Sequence, residues 1–197
     1  SRYPEPDFAP GEDYVYNNAA YEVLVTIIET VSGTDFPTFM QDHVFAVAGM
    51  PTATTFHSSR PDIPGRVIGY SPSDDGVEVN DYDPFNDMLG AGGVYATLGD
   101  FAAWSAALDN NAVFSESTLR AALSRTSLTD GSIVDYGFGW TIDQYRGHAR
   151  TAHGGSWVGF RTGFARYPDD DLAIVVLTNR SDGNPGKYIN QITDIYL

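Results

Sequence analysis

Four consecutive residues, His153-Gly154-Gly155-Ser156, bring together groups that could do chemistry. An imidazole stands beside two glycines, which have no Cβ to obstruct an approaching backbone or substrate, and beside N–H groups that a ligand can use. On a strand edge such a segment can bind an oxyanion. It can equally be a simple bulge, with His153 an ordinary strand-end histidine. A second short run, Tyr16-Asn17-Asn18, places a phenol and two amides at the start of a predicted helix, where either asparagine could cap it.

Other chemistries fit less well. His43, His57, His148 and His153 show no His-x-x-x-His spacing, and Asp81, Asp83 and Asp87 lack the glycine and closing glutamate of a calcium loop. Those aspartates read as solvated turn residues, and no metal or organic cofactor is expected. A Gly-x-Ser-x-Gly elbow fails because Gly154-Gly155-Ser156-Trp157-Val158 has valine at its last position. Gly90-Ala91-Gly92-Gly93 is not followed by the Lys-Ser/Thr of a phosphate loop.

The elements that must position these residues follow from periodicity. Apolar residues at helical spacing from Tyr21 to Val31, closed by Ser32-Gly33, predict one helix. Thr34 or Asp35 opens a second, ending at Gly49 before Pro51. Pro51 to Asp87 is rich in turn formers, with short strands only at 66–70 and 77–79. Helices are predicted at Thr97–Asp109, Ser115–Leu123 and Pro185–Leu197, the last with Tyr188, Ile192, Ile195 and Tyr196 facing inward. Tyr136–Ile142 reads as a strand. Gly147–Asn179 reads as a β-hairpin turning at Pro168-Asp169-Asp170-Asp171, and its unbroken run Leu172–Leu177 predicts a central strand buried on both faces. Helices first and antiparallel strands last give an α+β fold. Its divisions are a mainly helical part at 1–128, with a long loop at 51–90, and a sheet with a C-terminal helix at 129–197.

Composition narrows the function. The 197 residues are 42% hydrophobic, enough for a substantial core, and the formal charge of −15 argues against nucleic acid and anionic membrane surfaces. With no cysteine there is no thiolate nucleophile. No apolar run approaches the roughly 18 residues of a membrane span. The sequence opens on Ser1 rather than Met, which suggests a natural N-terminus further upstream.

With Tyr16-x-Asn18 and the helix through Val31-Ser32-Gly33, Phe45 to Gly49-Met50, Gly92-Gly93 with Thr97 and Asp100, and His153-Gly154-Gly155 occurring in that order, the chain resembles a known superfamily. It is that of the serine β-lactamases, penicillin-binding proteins and β-lactamase-like esterases, especially the class C-like members. The likeness spans nearly the whole chain, and His153-Gly154-Gly155 takes the place of Lys-Thr-Gly. The resemblance implies a serine hydrolase that forms an acyl-enzyme on an ester or amide, in a periplasmic or secreted setting. Tyr16 would be the general base or relay. Asn18 would bind a substrate carbonyl or the partner lysine, His153 would face the leaving group or a substrate carboxylate, and the Ser156 N–H would be one oxyanion donor.

One departure matters. The family's Ser-x-x-Lys lies upstream of Tyr-x-Asn, and here the only lysine, Lys187, follows Asn184 by three places, so these residues contain no such motif. The expectation is that a nucleophile-bearing N-terminal fragment or chain accompanies this one and completes its sheet. The alternative is a non-catalytic module that binds peptide or glycan. Histidine for lysine also predicts that neutral esters are preferred over penicillins, because imidazole is mostly uncharged above neutrality.

Overall fold

The computed structural model describes residues 5–55, 63–81 and 88–197. His57, Asp83 and Asp87 lie outside them, as does part of the 51–90 loop. Helix α1 (Asn18–Ser32) is capped by Asn17, whose side chain accepts the Ala20 N–H, and closes on Gly33 at φ 70°. Asp35 caps α2 (Phe36–Met40), which passes through one π-helical turn (Gln41–Phe45) into α3 (Ala46–Ala48) and stops at Gly49, φ 73°. The second predicted helix is therefore present over its expected range, with a π turn inside it.

Short strands β1 (Thr54–Thr55) and β4 (Val94–Tyr95) pair with each other, and β2 (Tyr70–Ser73) forms a hairpin with β3 (Gly76–Val79). The predicted strand at 66–70 thus begins only at its last residue. Helix α4 (Leu98–Asp109) starts from a capping box in which Thr97 and Asp100 satisfy each other's N–H groups. Ser115 caps α5 (Glu116–Ala122), and β5 (Thr126–Ser127) pairs with β6 (Ile133–Val134).

The main sheet is antiparallel, with β7 (Thr141–Tyr145), β8 (His148–Trp157), β9 (Phe160–Tyr167) and β10 (Leu172–Thr178) in the order β10-β9-β8-β7. The stretch 147–179 is three strands rather than one hairpin, because Val158-Gly159 reverses the chain as well as the 168–171 turn. The predicted strand at 136–142 begins at Thr141. Tyr136 only bridges back to Thr141, since Gly139 at φ 78° turns the backbone between them.

Two expectations about burial are corrected. Among the described residues β10 is an edge strand, and of its residues only Ile174 is fully buried, while Ala173 and Leu177 are exposed. An apolar run reports two apolar faces; it carries no information about which strands lie alongside. Helix α6 (Pro185–Tyr196) buries Pro185, Ile189 and Thr193, four residues apart, with Ile192 packed beside them; Tyr188, Ile195 and Tyr196 are exposed. The stripe on the sheet is thus rotated from the predicted one.

Among the described residues two apolar clusters form the core. One joins Phe45, Ala48, Met50, Ala53 and Ala107, with Trp104 packed against them. The other joins Ala165, Tyr167, Ile174 and Ile189 between the sheet and α6. Helix α4 meets the opposite sheet face, where Phe101 packs on Phe164 at 5.2 Å and buried Arg166 reaches Ser105 and Asp109.

Candidate active site

The candidate edge is made by a mismatch in strand length. Strands β7 and β8 join through Arg146-Gly147, both at positive φ (53° and 90°), as a type I′ turn requires. The pair closing such a two-residue hairpin, here Tyr145–His148, exchanges both ladder bonds. Even-numbered residues of β8 therefore direct N–H and C=O toward β7, and odd-numbered ones toward β9. Pairing with β7 ends at Thr141–Ala152, whereas β8 continues to Trp157 alongside β9. Gly154 and Ser156 are consequently the residues whose backbone groups face an uncovered edge, and 154–156 are exposed. Gly155 has a different task. It pairs with Thr162, and a Cβ there would collide with the Thr162 hydroxyl.

A small cavity of about 150 Å³ opens beside this edge, lined by Tyr16, Asn18, Tyr21, Gly90, Ala91, Tyr136, Gly139 and His153. It brings Tyr16, Asn18 and His153 together; Gly154, Gly155 and Ser156 continue from His153 along the strand. The Tyr16 and His153 rings lie 6.1 Å apart, and Tyr16 is half exposed. Asn17 takes the cap of α1 and leaves Asn18 as the first helical residue, on the cavity wall. Glu22, one turn further on, accepts the N–H groups of Gly90 and Ala91 at 3.0 and 2.9 Å and so holds that glycine-rich segment against α1.

Three further tyrosines stand at or beside this site: Tyr21 and Tyr136, expected only as parts of a helix and a strand, and Tyr14. Tyr136 touches His153 Nε2 through its hydroxyl at 2.8 Å and stacks near Tyr14 at 5.4 Å. Burial, together with the phenols of Tyr21, Tyr14 and Tyr16, pushes the Tyr136 hydroxyl far above the ordinary phenol range. Burial does the same, less strongly, to Tyr14 and Tyr21. The signal for Tyr136 was the Gly137-Phe138-Gly139 that follows it, which marks a turn placed next to the edge rather than a strand. Among the described residues no three His, Asp or Glu side chains converge as metal ligands.

The chain is similar to several known proteins. Over 189 residues the chain is 28% identical to penicillin-binding protein 4* of Bacillus subtilis, covering 89% of the chain and 42% of that protein. Over 175 residues it is 29% identical to the D-aminopeptidase of Brucella ovis, covering 87% of the chain and 33% of that protein. The chain thus spans less than half the length of these curated relatives. A penicillin-binding protein structure from Bacillus halodurans superposes with a TM-score of 0.82 at 27% identity, over 96% of this chain and 58% of that one. A D-stereospecific amidohydrolase from Streptomyces shares the fold at TM-score 0.76 and 22% identity, over 94% of this chain and 56% of that one. The expected α+β, penicillin-binding-protein-like fold is the observed one. The family model described as Beta-lactamase matches residues 2–193, and the chain belongs to that family.

Proposed function

We propose that this chain supplies the base and oxyanion side of a serine hydrolase site that acts through an acyl-enzyme on an ester or amide. The observation that carries the reading is the convergence of Tyr16, Asn18 and His153 on one cavity where the edge of β8 is uncovered. Tyr16 accepts the proton of an attacking serine, which requires a nearby cation to favour its ionised form. Asn18 orients the substrate carbonyl. The N–H of Ser156 receives the developing oxyanion, with a second donor from the nucleophile's own amide.

These 197 residues hold no Ser-x-x-Lys, so the nucleophile and the cation are assigned to sequence outside them, on the same polypeptide or a second one. The family membership and the relatives' names support hydrolysis. The D-aminopeptidase of Brucella ovis makes a D-amino-acyl amide the first amide to test. With an imidazole at 153, a p-nitrophenyl ester is expected to give a larger kcat/KM than benzylpenicillin at pH 8.

The full gene product should react with a fluorophosphonate serine probe, and Tyr16→Phe should lower kcat/KM for the ester by about 10²- to 10⁴-fold, the usual share of a general base. No labelling, or an unchanged rate in the variant, would remove this reading. The missing motif favours one second reading, a non-catalytic module binding peptide or glycan in the same cleft. It predicts ligand binding without probe labelling.

A further inference from the structure

We propose that Tyr136 is the positioning residue for His153: its phenolic hydrogen, given to Nε2, fixes the imidazole as the neutral tautomer protonated on Nδ1. Two distances locate the protons. Nδ1 lies 2.7 Å from the Gly154 carbonyl oxygen and Nε2 lies 2.8 Å from the Tyr136 hydroxyl. A carbonyl oxygen can only accept, so Nδ1 carries a hydrogen. A neutral imidazole has a single N–H, so Nε2 is the acceptor and the phenol is the donor. Tyr136 keeps its proton, being partly buried and surrounded by the phenols of Tyr14, Tyr16 and Tyr21; it also shares a hydrogen bond with the Tyr21 hydroxyl, where Tyr21 is the donor because the one phenolic hydrogen of Tyr136 goes to Nε2. Its own place is set by Gly137, whose N–H bonds the Trp140 carbonyl and which has no room for a Cβ beside the Ala122 carbonyl.

This changes what His153 can do. Both ring nitrogens are committed within the protein, so the ring has no free basic nitrogen to offer a substrate. It acts as a wall opposite Tyr16 and holds the Gly154 carbonyl, one of the groups on the uncovered edge. The site is thereby selective for a neutral group at the position where a lysine would have gripped a carboxylate. Only this selectivity rests on the hydrolytic reading above; the tautomer does not.

The test uses the full gene product with 15N-labelled histidine rings at pH 8, read by two-bond 15N–1H correlation and with the His153 signals assigned by their loss in His153→Phe. The expected spectrum for the unmodified protein has the proton on Nδ1 and an acceptor-type Nε2. In Tyr136→Phe, which keeps the ring on Tyr14 and Tyr16 and removes only the hydroxyl, the pattern should shift toward Nε2–H or an average of both tautomers. For the neutral ester, kcat should fall on the order of 10- to 10²-fold with KM nearly constant, as expected when a catalytic wall loses its orientation. A proton on Nε2 in the unmodified protein, a doubly protonated ring, or a Tyr136→Phe spectrum identical to it would overturn the proposal. The expected spectra in a protein that hydrolyses no ester would support the tautomer assignment and count against the hydrolytic reading alone.

Discussion

At Ser156 the proposed chemistry belongs to the backbone, and this separates two substitutions that would look alike on paper. Ser156→Ala keeps the N–H on the uncovered edge and should leave acylation within about 3-fold, because the hydroxyl has no assigned part. Ser156→Pro removes that N–H without breaking a ladder bond, since among the described residues no strand pairs with that side of β8 beyond Ala152. Acylation of a p-nitrophenyl ester by the full gene product should then fall by about 10²-fold or more, the cost of one oxyanion donor. Stopped-flow measurement of the burst phase decides it, and equal rates for the two variants would take Ser156 out of the mechanism. Gly155 is the more obvious target from the sequence but the poorer one. A side chain there strikes Thr162 and would mix a packing fault with any loss of chemistry.

At the level of elements, Asp100 ties the start of α4 to the segment after α3. It is buried and accepts from the N–H groups of Thr52 and Thr97 at 3.2 and 2.8 Å and from both threonine hydroxyls. Burial alone would raise its carboxyl pKa, but these donors outweigh it and hold the group at about 2. A depressed carboxylate adds stability that is complete above its unfolded value near 4 and is lost as pH falls through about 2. That contribution is about 2 kcal/mol. Asp100→Asn should therefore be less stable by about that amount at pH 7, with the gap narrowing between pH 4 and 2 in urea titrations. A gap that does not change with pH would show that the carboxylate's charge is not what holds the joint. Caps of this kind were legible in the sequence to within a residue or a pair of candidates: of Asn17 and Asn18 it is Asn17 that caps, of Thr34 and Asp35 it is Asp35, and Ser115 and Thr97 stand at the expected helix starts, because each bond closes within three residues. The inward face of α6, the edge position of β10 and the pairing of Tyr136 with His153 were not. Each depends on partners brought from many residues away, and a local pattern holds no information about them.

Across the whole molecule, apolar surface remains open. Val23, Leu24, Ile27 and Val31 of α1 are 58, 47, 50 and 82% exposed, and the outer edge of β10 has no strand beside it among the described residues. Covering four such side chains is worth ~1.5–3 kcal/mol each when complete, comparable in sum to a domain's net stability. Residues 1–197 produced alone should self-associate and bind an apolar dye, while the same residues within the full gene product should not. A monodisperse, cooperatively melting monomer by light scattering and calorimetry would contradict this. The length mismatch between β7 and β8 reaches further. None of the proposed catalytic groups opens the edge at Gly154 and Ser156; the backbone turn at Gly139 does, because β7 begins only at Thr141. Two more paired residues there would cover the proposed oxyanion donor while leaving Tyr16, His153 and the fold in place. Within this architecture, an enzyme and a mute descendant can differ by the length of one neighbouring strand, so loss and recovery of activity need not pass through the residues that perform it.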